Sequence, residues 1–141
     1  MEIKKVVIIG SGTMGSGIAA HLCNANIPVT LLDLKTEISE KARDRIHKSK
    51  PPLLLDKTKI NNIKVGNISD NFSEVEEADW VVEAVVERID VKHDIYKKIF
   101  NVRKKGAIVS SNTSSIPIKV LSQHLSEEEK KDFCITHFFN P

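Results

Sequence analysis

Nothing in the 141 residues approaches the roughly 18 consecutive apolar positions that a membrane span requires. After Met1-Glu2-Ile3-Lys4-Lys5 only four apolar residues precede Gly10, too few for the apolar core of a secretion signal. An excess of one charge is equally lacking. With 21 Lys and Arg against 19 Asp and Glu, interspersed, the net charge of +2 gives no electrostatic footprint for nucleic acid. Cysteine occurs twice, as Cys23 in a helical stretch and Cys134 in an apolar run, and neither has the company a metal site needs, so both read as buried free thiols. Repeats, linkers and low-complexity tracts are missing too. These absences point to one cytoplasmic domain with no metal, membrane or nucleic-acid partner. The length suffices for a real core but not for a second domain of comparable size.

Against that background, Val6-Val7-Ile8-Ile9 runs straight into Gly10-Ser11-Gly12-Thr13-Met14-Gly15. An apolar strand that breaks into G-x-G-x-x-G and continues as a helix is how a dinucleotide-binding unit opens. Gly10 permits the tight turn, Gly12 lets backbone approach phosphate without a Cβ, and Gly15 lets the helix pack on its strand. The helix expected over 13–24 offers free amides at Thr13 and Met14, and its positive dipole end, to a pyrophosphate. A second apolar run, 28–32, ends in Asp33, about twenty residues beyond the glycines, where a carboxylate can accept from a ribose 2′-hydroxyl and repel a 2′-phosphate. NAD is therefore favoured over NADP. The plain alternative is an ordinary strand-turn-helix with Asp33 opening a loop.

Apolar runs continue to alternate with helical ones, which predicts an α/β fold of the Rossmann type, a doubly wound and mostly parallel sheet with flanking helices. Residues 38–50 read as an exposed helix stopped by Pro51-Pro52. Residues 60–65 read as a short strand, 73–76 as a short capped helix, and 80–82 as a buried strand with Glu83 at its end. Apolar residues Ile89, Ile95, Ile99 and Val102 mark a helix over 89–102 with lysines on the opposite face. Strands are expected again at 107–109 and 133–139.

Rossmann domains serve many reactions, so function has to come from residues beyond the glycines. GSGTMGSGIA at 10–19, VVEAVVE at 81–87, SNTSS at 111–115 and HFFNP at 137–141 stand in an order and spacing that resemble the NAD-binding domain of L-3-hydroxyacyl-CoA dehydrogenases. The resemblance covers the whole chain. It implies that His137 takes the proton from a 3-hydroxyl while hydride passes from C3 to NAD, a role that suits an imidazole. It implies that Ser114 bonds the substrate near the nicotinamide and that Asn140 touches the same region. Glu87 and Lys92 would line the cofactor pocket beside Gly10, Gly12, Thr13, Met14 and Gly15, with Asp33 on the ribose. Ser49 falls where the family touches coenzyme A and Lys57 close to a lysine for its phosphates, although the double proline departs from the helical hairpin expected there.

Plainer readings stand beside these. His137 at a strand end could be a satisfied structural side chain. Ser111, Thr113, Ser114 and Ser115 could cap a helix announced by Pro117. Glu87 could be a first-turn acid, with Lys92, five residues on, too far round to pair with it. His21, His47, His93 and His124 have no motif around them. Lys41, Arg43, Arg45, Lys48 and Lys50 form a solvated face or steer an anionic coenzyme. In the family the sequence continues past HFFNP to a glutamate that orients the histidine and to a helical domain that covers substrate and dimerises. The expectation is therefore a cofactor half that binds NADH, turns over poorly alone, and associates with a helical domain or a second copy. Two other readings stay open: a binding module without chemistry, and a relative acting on a free hydroxy acid or sugar acid.

Overall fold

Two valines and two isoleucines, all β-branched and stiff at χ1, make β1 (Val6–Ile9), and the rest of the sheet is built outward from it. The computed structural model describes residues 1–139. Along the chain follow α1 (Thr13–Asn24), β2 (Val29–Asp33), α2 (Thr36–Lys48), β3 (Ile63–Asn67), α3 (Ile68–Asn71), β4 (Trp80–Glu83), α4 (Ile89–Val102), β5 (Ile108–Ser111), α5 (Ile118–Leu121), α6 (Glu127–Lys130) and β6 (Phe133–Ile135). The strands form one sheet in the order β3-β2-β1-β4-β5-β6, every neighbouring pair parallel. The order reverses beside β1, and the crevice at that reversal is where doubly wound sheets bind ligands.

Strand alternation divides the core into two layers. Val6, Ile8, Val29, Leu31 and Ile63 face Ile18, Ala19, Leu22, Ala42 and Ile46 from α1 and α2. Val7, Ile9, Val81 and Val109 face Ile95, Tyr96 and Ile99 from α4, with Leu121 and Phe133 closing the edge. Both faces of the central strands are thus dry, so a polar side chain there must find its partners inside. Among the described residues every buried side-chain nitrogen or oxygen has one.

The structure matches the expected α1, β2 and α4 and moves several other elements. Residues 57–62 form a 3-10 turn rather than the start of a strand, because Asp56 accepts from Thr58 N–H and caps it; the strand begins at Ile63. Around 73–76 the chain is also 3-10, and the capping side chain is Asn67, which accepts from Asp70 N–H ahead of α3, not Ser73. The helix over 38–50 runs from Thr36 to Lys48, and Ser39, Ala42 and Ile46 are buried along one face of it. The last strand ends at Ile135, and 136–139 are irregular. Lys92 lies on the inner face of α4, buried, not with the exposed lysines Lys97 and Lys98. No helix among the described residues is long and apolar enough to cross a membrane.

Candidate functional site

The glycine turn leaves the carboxyl end of β1 with Gly10 at φ +107°, a left-handed conformation that side chains resist, and a Cβ there would run into the carbonyl oxygen of Ala84. A Cβ on Gly15 would strike the Gly10 carbonyl oxygen, so this glycine protects the turn itself as well as the packing of α1 on Ile8. At Gly12 a Cβ would meet nothing within 4 Å. That open space lies at the start of α1, whose N-cap is Gly12, with no capping side chain and no acid in the first turn. An anion can therefore approach the free amides of Thr13 and Met14 with no acid in the first helical turn to repel it.

Asp33, closing β2, accepts from Ser11 N–H at 2.8 Å and Ser11 Oγ at 2.5 Å on one oxygen and from Leu34 N–H at 2.7 Å on the other. A carboxylate has about four acceptor directions, so one remains for a hydroxyl of a bound ribose. The Arg45 guanidinium reaches across from α2 and donates to the Ser11 carbonyl oxygen at 3.1 Å. This cation ties the turn to α2.

Across the reversal, at the carboxyl ends of β4 and β5, lies a cavity of about 310 Å³ lined by Met14, Glu87, Lys92, Asn112, Ser114 and His137 among others. Its floor is a buried network. Glu83, fully buried at the end of β4, accepts from Tyr96 Oη at 2.5 Å and Ser111 Oγ at 2.7 Å on Oε1, and from Lys92 Nζ at 2.7 Å and Val85 N–H at 2.9 Å on Oε2. Lys92 Nζ also meets Glu87 Oε1 at 3.0 Å and the Val85 carbonyl oxygen at 3.4 Å. The expectation that residues 87 and 92 cannot pair assumes that both sit in one helix; Glu87 precedes α4 and is free to turn back. Thr113 Oγ1 and Ser115 Oγ donate to Glu87 Oε2 at 2.8 and 3.1 Å.

Burial alone would push the Glu87 carboxyl up, but the Thr113 hydroxyl, the Lys92 ammonium and the Ser115 hydroxyl outweigh it and hold the group below the usual carboxylate range. For Tyr96, burial and the Glu83 charge beside it push the phenol far up, so it stays a hydrogen-bond donor. The SNTSS serines and threonine do not cap α5, whose N-cap is Pro117; Ser111 and Thr113 serve the network instead.

His137 is exposed and held through its neighbours. Thr136 N–H donates to the Ser111 carbonyl oxygen at 3.0 Å, Phe138 N–H donates to Asn112 Oδ1 at 2.8 Å, and the imidazole packs 4.6 Å from the Phe139 ring. Ser114 shares its cavity. Asn140, expected beside them, lies outside the described residues. An apolar groove of about 460 Å³ adjoins the cavity along α1, lined by Met14, Ile18, Leu53, Phe138 and Phe139 among others. Ser49 lies in a separate shallow basic cleft with Lys41, Arg45, Lys48 and Lys50, its hydroxyl turned to the Pro51 carbonyl oxygen at 2.6 Å. Lys57 is exposed at the start of the 3-10 turn and does not line that cleft. His93 and His124 pack against each other at 4.5 Å in another groove between α4 and α5. Glu83 and Tyr96 are the site groups that sequence reasoning left without a role, and Arg45, expected on a solvated or coenzyme-steering face, instead holds the glycine turn.

An all-parallel sheet in this order, with a left-handed glycine at the switch point, an unobstructed helix start and a strand-end carboxylate, defines a Rossmann-type dinucleotide-binding domain. Comparison with known proteins narrows the class. Residues 5–141 match the family described as 3-hydroxyacyl-CoA dehydrogenase, NAD binding domain. The chain is 44% identical over 147 residues to a putative fatty acid oxidation complex trifunctional enzyme of Rickettsia felis, covering 99% of this chain and 20% of that protein. It is 40% identical to a probable 3-hydroxyacyl-CoA dehydrogenase of Deinococcus radiodurans, covering 100% of this chain and 43% of that one. The crystal structure of 3-hydroxybutyryl-CoA dehydrogenase from Escherichia coli K12 superposes with a TM-score of 0.86 at 28% identity, over 100% of this chain and 30% of that one. The chain belongs to the 3-hydroxyacyl-CoA dehydrogenase family as its NAD-binding domain, and spans less than half the length of these relatives.

Proposed function

We propose that the chain is the cofactor-binding part of an enzyme that oxidises L-3-hydroxyacyl-CoA to 3-oxoacyl-CoA, with His137 as general base. The observation that carries this reading is the single cavity that joins His137, Ser114 and Glu87 to the glycine turn through Met14. Gly12, Thr13 and Met14 would hold the pyrophosphate by backbone amides, and Asp33 would hold the adenosine ribose. Glu87, with three acceptor directions filled and its side chain 41% exposed, has one left for the nicotinamide ribose. Lys92 acts through Glu87, since its three protons already point at Glu83, Glu87 and Val85. When bound, NAD supplies the acceptor for the hydride from C3.

His137 takes the hydroxyl proton as the C3–H bond breaks, so the C3–O bond becomes a carbonyl with no charge left on oxygen. Ser114, exposed on the same cavity, donates to that oxygen, and Asn140 assists. The acyl chain follows the apolar groove along α1, and the anionic coenzyme end is drawn by Lys41, Lys48 and Lys50 near Ser49, with Lys57 beyond. Phe139, 81% exposed, forms an apolar lip that fits a helical substrate domain or a second copy. The site faces the cytoplasm in this reading.

The test is NADH consumption with acetoacetyl-CoA by the purified chain and by H137Q, with NADH binding followed in parallel through fluorescence of Trp80, the single tryptophan. H137Q should lose turnover by about 10²–10⁴-fold while NADH affinity holds. Equal turnover by H137Q would remove His137 from the mechanism.

A further inference from the structure

Glu83 sits outside every role assigned above, yet no other carboxylate in the site is so completely enclosed. It is fully buried, and its four acceptor directions are all taken, by Tyr96, Ser111, Lys92 and Val85. It offers nothing to a ligand. Its partners lead to three parts of the cavity wall: Lys92 leads on to Glu87, Ser111 lies at the end of β5 one residue before Asn112, and Val85 N–H opens the segment that carries Glu87.

We propose that Glu83 is a positioning residue for the nicotinamide end of the cofactor, and that it works by fixing Lys92 so that Glu87 presents its free acceptor to the cavity. This rests on the cofactor placement described under the preceding heading. Two physical points support it. A buried ion pair is weak grounds for stability, since well-packed apolar side chains often do as well, so the network is better explained by orientation than by added stability. Lys92 also has two carboxylates to choose between, at 2.7 Å and 3.0 Å. With Glu83 present, Glu87 shares the ammonium and keeps the Thr113 and Ser115 hydroxyls as well. Without the Glu83 charge, the ammonium would be neutralised by Glu87 alone, and that carboxylate would swing inward, away from the cavity.

The experiment compares the affinities of NADH and of ADP, which carries the adenosine and phosphates but no nicotinamide, in wild type, E83Q, E83D and Y96F. Wild type should prefer NADH clearly. E83Q keeps the shape and removes the charge, so it should lower NADH affinity about tenfold and leave ADP affinity in place. E83D retains the charge and should recover part of the loss. Y96F removes one of the four donors and spares the Lys92 contact, so it should lower the NADH-to-ADP ratio by a smaller factor, about twofold to threefold. If E83Q does not fold, E83D decides: its shorter side chain draws the carboxylate back from Lys92, so an unchanged ratio in folded E83D then overturns the proposal. Folded E83Q with the wild-type ratio overturns it directly and leaves the cofactor placement standing. A wild-type ratio near one overturns the placement of the nicotinamide and this proposal with it.

Discussion

Asp33 and Glu83 each end a strand of the same parallel sheet with a carboxylate, on opposite sides of the point where strand order reverses. Asp33 is half-buried, its donors are the glycine turn and its own neighbour, and it retains an acceptor direction toward solvent. Glu83 is sealed, saturated and paired to a lysine only 1% exposed. Both strands are interior, so the difference arises beyond their ends: Glu83 is closed over by Lys92 and Tyr96 of α4, whereas Asp33 meets only the glycine turn and its own neighbour. The lesson is that one cradle holds two kinds of charge: a rim carboxylate with an acceptor still open, and a core carboxylate whose bonds all go to protein groups.

That comparison predicts where damage should appear. Lys92→Met should have the largest effect, on stability. It strands Glu83 as a buried carboxylate, and losing one partner of a buried pair costs about 3–5 kcal/mol. Chemical denaturation of the variant should show a loss in that range, and a loss below about 1 kcal/mol would mean that the buried network does not depend on the Lys92 ammonium.

Gly10→Ala strikes both halves at once. Its φ of +107° and the Ala84 carbonyl in the path of a new Cβ should together cost about 2–4 kcal/mol and shift the turn away from β4. Binding of NADH and of ADP should fall together. Loss of NADH binding alone would show that the turn deforms toward β4 without disturbing Asp33.

Much of the rim half was legible in the sequence, and less of the core half. Glycine spacing, an apolar run and an acid at the right distance are local signals, and they located β1, α1, β2 and Asp33. Glu83 stands at the end of an apolar run just as Asp33 does, and nothing local tells a sealed acid from a rim acid. The available clue lay on α4. Lys92 falls three residues after Ile89 and three before Ile95, on the face that packs inward, and Tyr96 follows it at i+4. A lysine among core positions asks for a buried acid. The 3-10 turn at 57–62 was hidden for a different reason: Ile60 and Ile63 suit a strand, and the Asp56 cap decides otherwise. His137 was singled out by its motif, while what holds its neighbours, Asn112 and Ser111, belongs to a loop and strand end distant in sequence.

Asp33→Asn should separate affinity from stability. The amide keeps one acceptor but turns a donor toward Ser11 or Leu34, so NADH affinity should fall about tenfold while the stability loss stays near 1 kcal/mol. Removing the negative charge should also relax discrimination against a 2′-phosphate, with the nearby Arg45 cation as a partner for it. The NADPH-to-NADH affinity ratio should therefore rise, and an unchanged ratio would remove Asp33 from cofactor choice.

The smallest effect concerns acid. Glu87 is held below the ordinary carboxylate pKa of about 4.3 once bound to Thr113, Lys92 and Ser115. A group whose pKa is lowered in the folded state contributes stability that is present above its unfolded pKa and lost as pH falls through the folded one. Between pH 5 and 8 Glu87 should thus give NADH binding no slope, and weakening should begin only below about pH 4. Because Glu87 is 41% exposed, solvent screens the pair and the change should be modest. ADP makes no use of Glu87 and should show no Glu87-dependent slope in that window. If NADH and ADP affinities decline in parallel on acidification, and continue to do so in E87Q, the acid response belongs to the rim and Glu87 is not the carboxylate that meets the nicotinamide half.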